Sequence, residues 1–236
     1  GHNLMDHHFR VGARADVDGF TDKYYKGRKP AGFYLPKFRN IDSTSMRKDY
    51  IRGFGYQGGA SRDGWWRAVA EAGVGGAWKD QWQNPGGWTV GMMAFGECLP
   101  YHENKVTVNT ALLDPYGLPT LEIDCEWKEN ELTMRKDMAQ SGAEMFEAAG
   151  YKNVTTYDSG SNPGLGIHEM GTARMGRDPK TSVLNEWNQV HACKNVFVTD
   201  GACMTSAACQ NPSLTYMALT ARATHHAVEE LKKQNI

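Results

Sequence analysis

The residues from Asn195 to Leu219 read NVFVTDGACMTSAACQNPSLTYMAL. They predict a short β-branched strand over 195–201 that ends in a turn, followed by a helix that begins at Pro212 and runs to about Lys233. Asn is a favoured N-cap and Pro is favoured at the first helical position, so Asn211 is expected just outside the helix. A helix start presents free N–H groups and partial positive charge, which stabilise an anionic atom. By itself, the pattern describes a well-capped helix with no further role.

A second informative stretch lies upstream, where residues 166–176 read GIHEMGTARMG. It has no strong helix or strand period and is rich in glycine, which is typical of a loop. His168 is the candidate catalytic residue here, because histidine is the usual proton acceptor near neutral pH. The alternative is a histidine that is hydrogen-bonded within a loop and takes no part in catalysis.

The composition is that of a globular protein. Of the 236 residues, 40% are hydrophobic and 22% are charged, with a formal net charge of -1. No run approaches the roughly 18 consecutive apolar residues of a membrane helix, and the charge balance offers no basic field for nucleic acid. We therefore expect no membrane span and no nucleic-acid partner. The first eight residues, GHNLMDHH, lack the apolar core of a signal peptide, which leaves the compartment open between cytoplasm and periplasm.

Cysteine and histidine spacing predicts no disulfide framework and no metal site. The five cysteines are odd in number and include no CxxC pair, so a zinc ribbon and an iron–sulfur or haem motif are disfavoured. Burial as small apolar residues is the expected state of these cysteines. A metal hydrolase is also disfavoured, because HxxxH spacing with a nearby acid is missing from the candidate histidines His7, His8, His102, His168 and His191.

The middle of the chain predicts a mostly antiparallel sheet followed by a helix, an α+β fold class. Strands are expected over 9–15, 88–95, 105–109 and 120–124, with a turn at 114–117. A helix is expected over about 130–149 with Gly150 as its C-cap, and 158–166 is expected to be a loop.

Residues 53–58, GFGYQG, fit the GxGxxG pattern of dinucleotide-binding loops. That loop works only between a strand and a helix, because the helix start holds the pyrophosphate. Only Tyr50 and Ile51 precede the motif as apolar residues, and the residues after it are poor helix formers. The context predicts a glycine-rich strand or turn instead.

Taken together, the two motifs and the strand between them resemble the C-terminal region of the glucose-methanol-choline (GMC) flavoprotein oxidoreductases. Order and spacing agree over roughly 70 residues, and the opening segment 1–7 is similar to a turn of the same family. The matching positions are His168, Gly171-Thr172, Arg174-Met175-Gly176, Asp178-Pro179, Ser182-Val183, Asn195 to Val198, Asp200-Gly201-Ala202, Asn211-Pro212, Leu214-Thr215 and Ala218-Leu219.

The resemblance implies an enzyme that oxidises a CH–OH group by hydride transfer to FAD. His168 would be the base and Asn211 its partner, a His-Asn pair similar to that of pyranose oxidases. It further implies a substrate-binding domain of mostly antiparallel sheet over 1–160, and a segment over 161–236 that completes an FAD-binding domain. The residues implied to contact FAD are Asp200, Gly201, Pro212, Ser213, Leu214 and Thr215.

In this family the true FAD-binding GxGxxG loop lies at the start of the FAD-binding domain, and this sequence lacks it, since residues 53–58 match the pattern without its strand–helix context. We therefore expect the chain to be the C-terminal part of a longer enzyme, to lack the N-terminal half that binds the ADP part of FAD, and to bind FAD weakly or not at all by itself. That missing half and a separate electron acceptor are the partners that the resemblance implies.

Residues 52–66 are similar to bacterial glucoside 3-dehydrogenase large subunits, relatives of pyranose oxidase, which favours a sugar or glycoside as substrate. The tryptophans, together with Tyr56, Gln57, Arg62 and Asp63, are candidates for contacts with a sugar, and core packing is the alternative for these aromatic residues. A non-catalytic carbohydrate-binding or interaction domain derived from the same fold is the competing function.

Overall fold

The computed structural model describes residues 1–20, 32–62, 73–83 and 86–236. The strands in these ranges are β1 (Val11–Val17), β2 (Gly32–Leu35), β3 (Phe54–Arg62), β4 (Trp88–Gly96), β5 (Lys105–Leu113), β6 (Pro119–Asp124), β7 (Lys152–Asp158), β8 (Gln189–Val190) and β9 (Cys193–Phe197). The α-helices are α1 (Gly76–Gln81), α2 (Glu129–Ala148) and α3 (Ser213–Lys232), and a short 3-10 helix spans Gly201–Cys203.

One five-stranded sheet forms the centre of the fold. Its order is β2-β3-β4-β1-β7, and every neighbouring pair in it is antiparallel. Two antiparallel hairpins, β5-β6 and β8-β9, stand apart from this sheet. The prediction of a mostly antiparallel sheet with a packed helix is therefore confirmed.

Helix α2 covers one face of the sheet, and the core lies between them. Met134, Met138 and Phe146 on the helix meet apolar side chains from β1, β3 and β4. Burying a side chain of this size stabilises the fold by roughly 1.5–3 kcal/mol relative to leaving it exposed. The strand residues in this core are Val11, Ala13, Ala15, Phe54, Tyr56, Val90, Met92 and Ala94.

Several predicted elements are confirmed, with shifts at their ends. The GxGxxG stretch lies in strand β3, apart from Gly53, which directly precedes the strand, and its context predicts this glycine-rich strand. Strand β1 begins two residues later than expected. The strand expected over 195–201 instead spans Cys193–Phe197, because Asp200 accepts a hydrogen bond from the Ala202 N–H and starts the 3-10 helix.

Four strands and helices were outside the predictions, namely β2, β7, β8 and α1. The cysteine prediction is correct for Cys98, Cys203 and Cys209, which are buried, and wrong for Cys193, which is exposed; Cys125 is half-buried. Within the described ranges, every helix is too short or too polar to cross a bilayer.

A buried carboxylate ties the segment before β3 to helix α2. Asp137 on α2 accepts two hydrogen bonds from the Arg39 guanidinium, at 3.0 and 3.1 Å, and one each from the Tyr50 and Ser141 hydroxyls. Burial alone would raise the pKa of Asp137, but the hydrogen bonds from Tyr50, Arg39 and Ser141 outweigh it and hold this pKa below its ordinary value of 3.8.

We expect Asp137→Asn to lower the free energy of unfolding by about 2 kcal/mol at pH 7, because it weakens hydrogen bonds to a buried charge. A depressed folded-state pKa stabilises the fold above the unfolded-state value, and this contribution disappears as the pH falls through the folded-state value. The difference between the two proteins in urea unfolding should therefore shrink below about pH 4. Asp49→Asn, at an exposed carboxylate paired with Arg47, is the control and should behave as wild type. A difference between wild type and the Asp137 variant that does not change with pH would contradict this account.

Candidate active site

The segment Leu4–His8 is buried and connects the central sheet to the loop that carries His168. Met5 and Met170 exchange two backbone hydrogen bonds, each 2.9 Å long. On the other side, the Gly96 N–H at the end of β4 donates to the His8 carbonyl at 3.0 Å. The His168 loop is therefore held against the end of the central sheet by main-chain contacts.

The carboxylate of Asp6 binds the same loop through backbone N–H groups. Asp6 is 1% exposed and accepts hydrogen bonds from the backbone N–H groups of His7, Gly164 and Gly166, at 2.7, 3.0 and 2.9 Å. A buried carboxylate is costly unless such donors satisfy it. The loop's path just before His168 is consequently fixed by Asp6.

The imidazole of His7 joins two loops that are distant in sequence. Its Nδ1 lies 2.8 Å from Nδ1 of His168, and its Nε2 hydrogen-bonds to the carbonyl oxygen of Ala208. Burial lowers the pKa of His7, aided by the nearby His168, although the Ala208 carbonyl and the Asp6 and Glu97 carboxylates act in the opposite direction. His7 thus connects the His168 loop to the loop that leads into α3.

An open cleft of about 380 Å³ lies beside His168. The described residues that line it are Leu4, Ile167, His168, Glu169, Met170, Thr172, Asp200, Gly201, Ala202 and Tyr216. Three of the residues implied by the resemblance, His168, Asp200 and Gly201, are thus brought together. Gly201 is required here, because a Cβ would lie 2.2 Å from the Glu169 carbonyl oxygen and 2.7 Å from the Tyr216 hydroxyl.

Tyr216 lines this cleft and carries a hydroxyl that is unpaired in the described part of the chain. Its oxygen is buried and has no hydrogen-bond partner among the described residues. Burial, together with the neighbouring Cys203 and Asp200, raises the pKa of Tyr216 to about 12, so the group stays a neutral donor. A buried hydroxyl without a partner costs free energy.

Asn211 lies in the adjacent loop and is exposed. Its Oδ1 is 3.0 Å from Nε2 of Gln57 on β3. The prediction that Asn211 caps a helix beginning at Pro212 is wrong. Helix α3 begins at Ser213, and Pro212 occupies the N-cap position, without a side-chain hydrogen bond to the helix. Pro212 is buried, whereas Ser213, Leu214 and Thr215 are exposed, and neither Asn211 nor these four residues are among the described residues lining the cleft.

The residues suggested for sugar contacts separate into different environments. Tyr56 is fully buried and donates a 2.6 Å hydrogen bond to the Met138 carbonyl, so its assignment to the substrate is wrong. Arg62 contacts the Trp88 ring and donates to the carbonyls of Gly86 and Phe20. Trp78 and Trp82 form an edge-to-face pair at α1, and Asp63, Trp65 and Trp66 lie outside the described residues. Gln57 is half-buried beside Asn211.

Sequence comparison identifies the family. The family model described as GMC oxidoreductase matches residues 100–220, just over half of the chain. The chain belongs to the GMC oxidoreductase family. This GMC segment includes the His168 loop, the 3-10 helix and the first part of α3.

Named relatives cover different shares of this GMC chain. It is 34% identical over 231 residues to 2-methyl-1,2-propanediol dehydrogenase of Mycolicibacterium austroafricanum, an alignment that covers 94% of this chain and 40% of that protein. It is 30% identical to 6'''-hydroxyparomomycin C oxidase of Streptomyces lividus, over 56% of this chain and 24% of the relative. It is 28% identical to the fructose dehydrogenase large subunit of Gluconobacter japonicus, over 61% and 26%. The chain thus spans less than half the length of these curated relatives.

We expect Asp6→Asn to loosen the His168 loop of this GMC chain, because an amide NH2 would face backbone N–H donors. Hydrogen exchange at the amides of Gly164 and Gly166 should accelerate about 10-fold or more, as the loss of 1–2 kcal/mol implies. Asp16→Asn is the matched control, since Asp16 accepts a side-chain hydrogen bond from Asn153 near the surface. Unchanged exchange at both glycines would show that Asp6 does not hold the loop.

Proposed function

We propose that this chain provides the proton-transfer and substrate-positioning groups of an FAD-dependent enzyme that oxidises a CH–OH group of a sugar, glycoside or alcohol. The supporting observation is the contact of one imidazole with two loops. His7 contacts His168 and also holds the Ala208 carbonyl, three residues before Asn211. The two proposed catalytic side chains therefore come from loops that are fixed relative to each other.

His168 accepts the hydroxyl proton of the substrate in this proposal. Removing a proton from the oxygen and a hydride from the carbon converts a CH–OH group to a carbonyl, and a neutral imidazole is suited to take the proton. Asn211 binds the same oxygen and keeps the reacting carbon in place, which is catalysis by positioning. Gln57 orients the Asn211 carboxamide through their 3.0 Å contact.

The residues present fit a flavin. Tyr216 lines the cleft beside His168 and has a hydroxyl without a partner among the described residues, and the first turn of α3 leaves Ser213, Leu214 and Thr215 exposed. Backbone N–H groups at a helix start favour an anionic group. When bound, FAD would supply the hydride acceptor, which side chains cannot provide. The residues proposed to hold it are Asp200, Gly201, Pro212, Ser213, Leu214 and Thr215.

The proposal assigns substrate binding and cofactor binding to different parts of the sequence. Residues 1–160, with the five-stranded sheet, provide the substrate side, and residues 161–236 provide the cofactor side. The relatives' names support a CH–OH donor, since they are a dehydrogenase of a propanediol and a large subunit of a fructose dehydrogenase. A separate electron acceptor is part of the proposal, because that fructose dehydrogenase is named as one subunit of an assembly.

We expect His168→Ala and Asn211→Ala each to slow substrate-driven flavin reduction by at least about 100-fold, because each removes a group that acts on the substrate oxygen. The measurement is anaerobic bleaching of the flavin in the whole FAD-loaded protein that contains this chain, with a panel of sugars, glycosides and simple alcohols. FAD content should stay at the wild-type level. His225→Ala is the control, because His225 is exposed on α3.

Wild-type reduction rates in either variant would remove that residue from the proposed mechanism. If no sugar or alcohol bleaches the flavin while sugars still bind, the non-catalytic carbohydrate-binding function is favoured instead.

A further inference from the structure

The geometry points to His7 as a positioning residue that holds His168 in the tautomer with its proton on Nδ1 and its Nε2 free to act as the base. This inference rests on the proposed catalytic role of His168 and adds the group that orients it. It is based on two hydrogen bonds that link three groups, from the Ala208 carbonyl through the imidazole of His7 to that of His168.

The carbonyl oxygen of Ala208 determines which group donates in each of these two hydrogen bonds. A carbonyl oxygen can only accept, so Nε2 of His7, which contacts Ala208, must carry a proton. A neutral imidazole carries only one proton, which leaves Nδ1 of His7 as an acceptor. Since Nδ1 of His168 lies 2.8 Å away from it, Nδ1 of His168 must be the donor.

The surroundings of His7 favour its neutral form. The side chain is fully buried, and the ring of Phe95 meets it edge-on with centroids 6.0 Å apart. Burial is the largest cause of its lowered pKa, and it prevails over the Ala208 carbonyl and the carboxylates of Asp6 and Glu97. A doubly protonated His7, which would force the opposite tautomer on His168, is thereby disfavoured.

The consequence for the reaction lies at the other nitrogen of His168. With its proton on Nδ1, the ring has an unshared electron pair at Nε2, on the side of the ring away from His7. When Nε2 takes the substrate proton, the new imidazolium keeps its Nδ1–H bond to His7, which becomes charge-assisted and therefore stronger. His7 thus favours both the base form and the protonated form that follows it.

The direct test is to observe the tautomers. Long-range proton–nitrogen correlation spectra of the whole FAD-loaded protein, labelled with ¹⁵N-histidine, should show His168 protonated at Nδ1 and His7 protonated at Nε2 at neutral pH. His168→Ala and His7→Gln identify the two signals. A spectrum with the proton of His168 on Nε2 would overturn the inference and leave the proposed function standing.

Variants at His7 provide the second test. We expect His7→Leu to slow flavin reduction about 100-fold, as loss of a group that orients a catalytic residue does. His7→Gln should stay within about 10-fold of wild type, because its carboxamide can accept from His168 and donate to Ala208. His225→Leu, which removes an exposed imidazole on α3, is the matched control and should reduce flavin at the wild-type rate.

The outcomes separate the two proposals. A wild-type rate in His7→Leu, or a rate in His7→Gln as slow as that of His7→Leu, would overturn the role of His7. If His168→Ala reduces flavin normally, the proposed function fails first. Should His7→Leu not fold, the tautomer spectrum of the unsubstituted protein decides the question by itself.

Discussion

The site depends on the pairing of the buried segment Leu4–His8 with the loop that carries His168. Main-chain hydrogen bonds join Met5 to Met170, and the same segment contacts the end of β4 through His8. The hydrogen bonds of Asp6 and His7 are short-range, so they can form only if this pairing is already in place. A displacement of about one residue in the pairing would move both side chains away from their partners.

The same segment carries polar groups that would destabilise the fold if they were unpaired. Asp6 and His7 are almost completely buried, and a buried polar group without partners costs a few kcal/mol. Both are satisfied by atoms of the loops they join, namely the N–H groups of Gly164 and Gly166 and the carbonyl of Ala208. The free-energy cost of desolvating these groups is therefore offset only in the arrangement that forms the site.

Local patterns in the sequence predict much of this fold and only part of this site. Helix α2 and strand β4 follow from side-chain periodicity and turn residues, which act over a few positions. The contact between His7 and His168 joins residues 161 positions apart, which no local period reports. Tyr56 is a second case that local patterns do not resolve, because an aromatic residue beside polar neighbours can point either to solvent or to the core. In β3 it points to the core, where its hydroxyl meets the Met138 carbonyl.

A backbone carbonyl can set the direction of the hydrogen bonds at a proton-transfer site, because it only accepts. Side chains that both donate and accept, such as two imidazoles, leave the direction of their hydrogen bond undefined. The Ala208 carbonyl removes this ambiguity, since it accepts at any pH at which the protein is folded, and it fixes first His7 and then His168. The loop that presents this carbonyl also leads to Asn211. The fold that sets which nitrogen of His168 is free therefore also sets where the proposed second catalytic group lies.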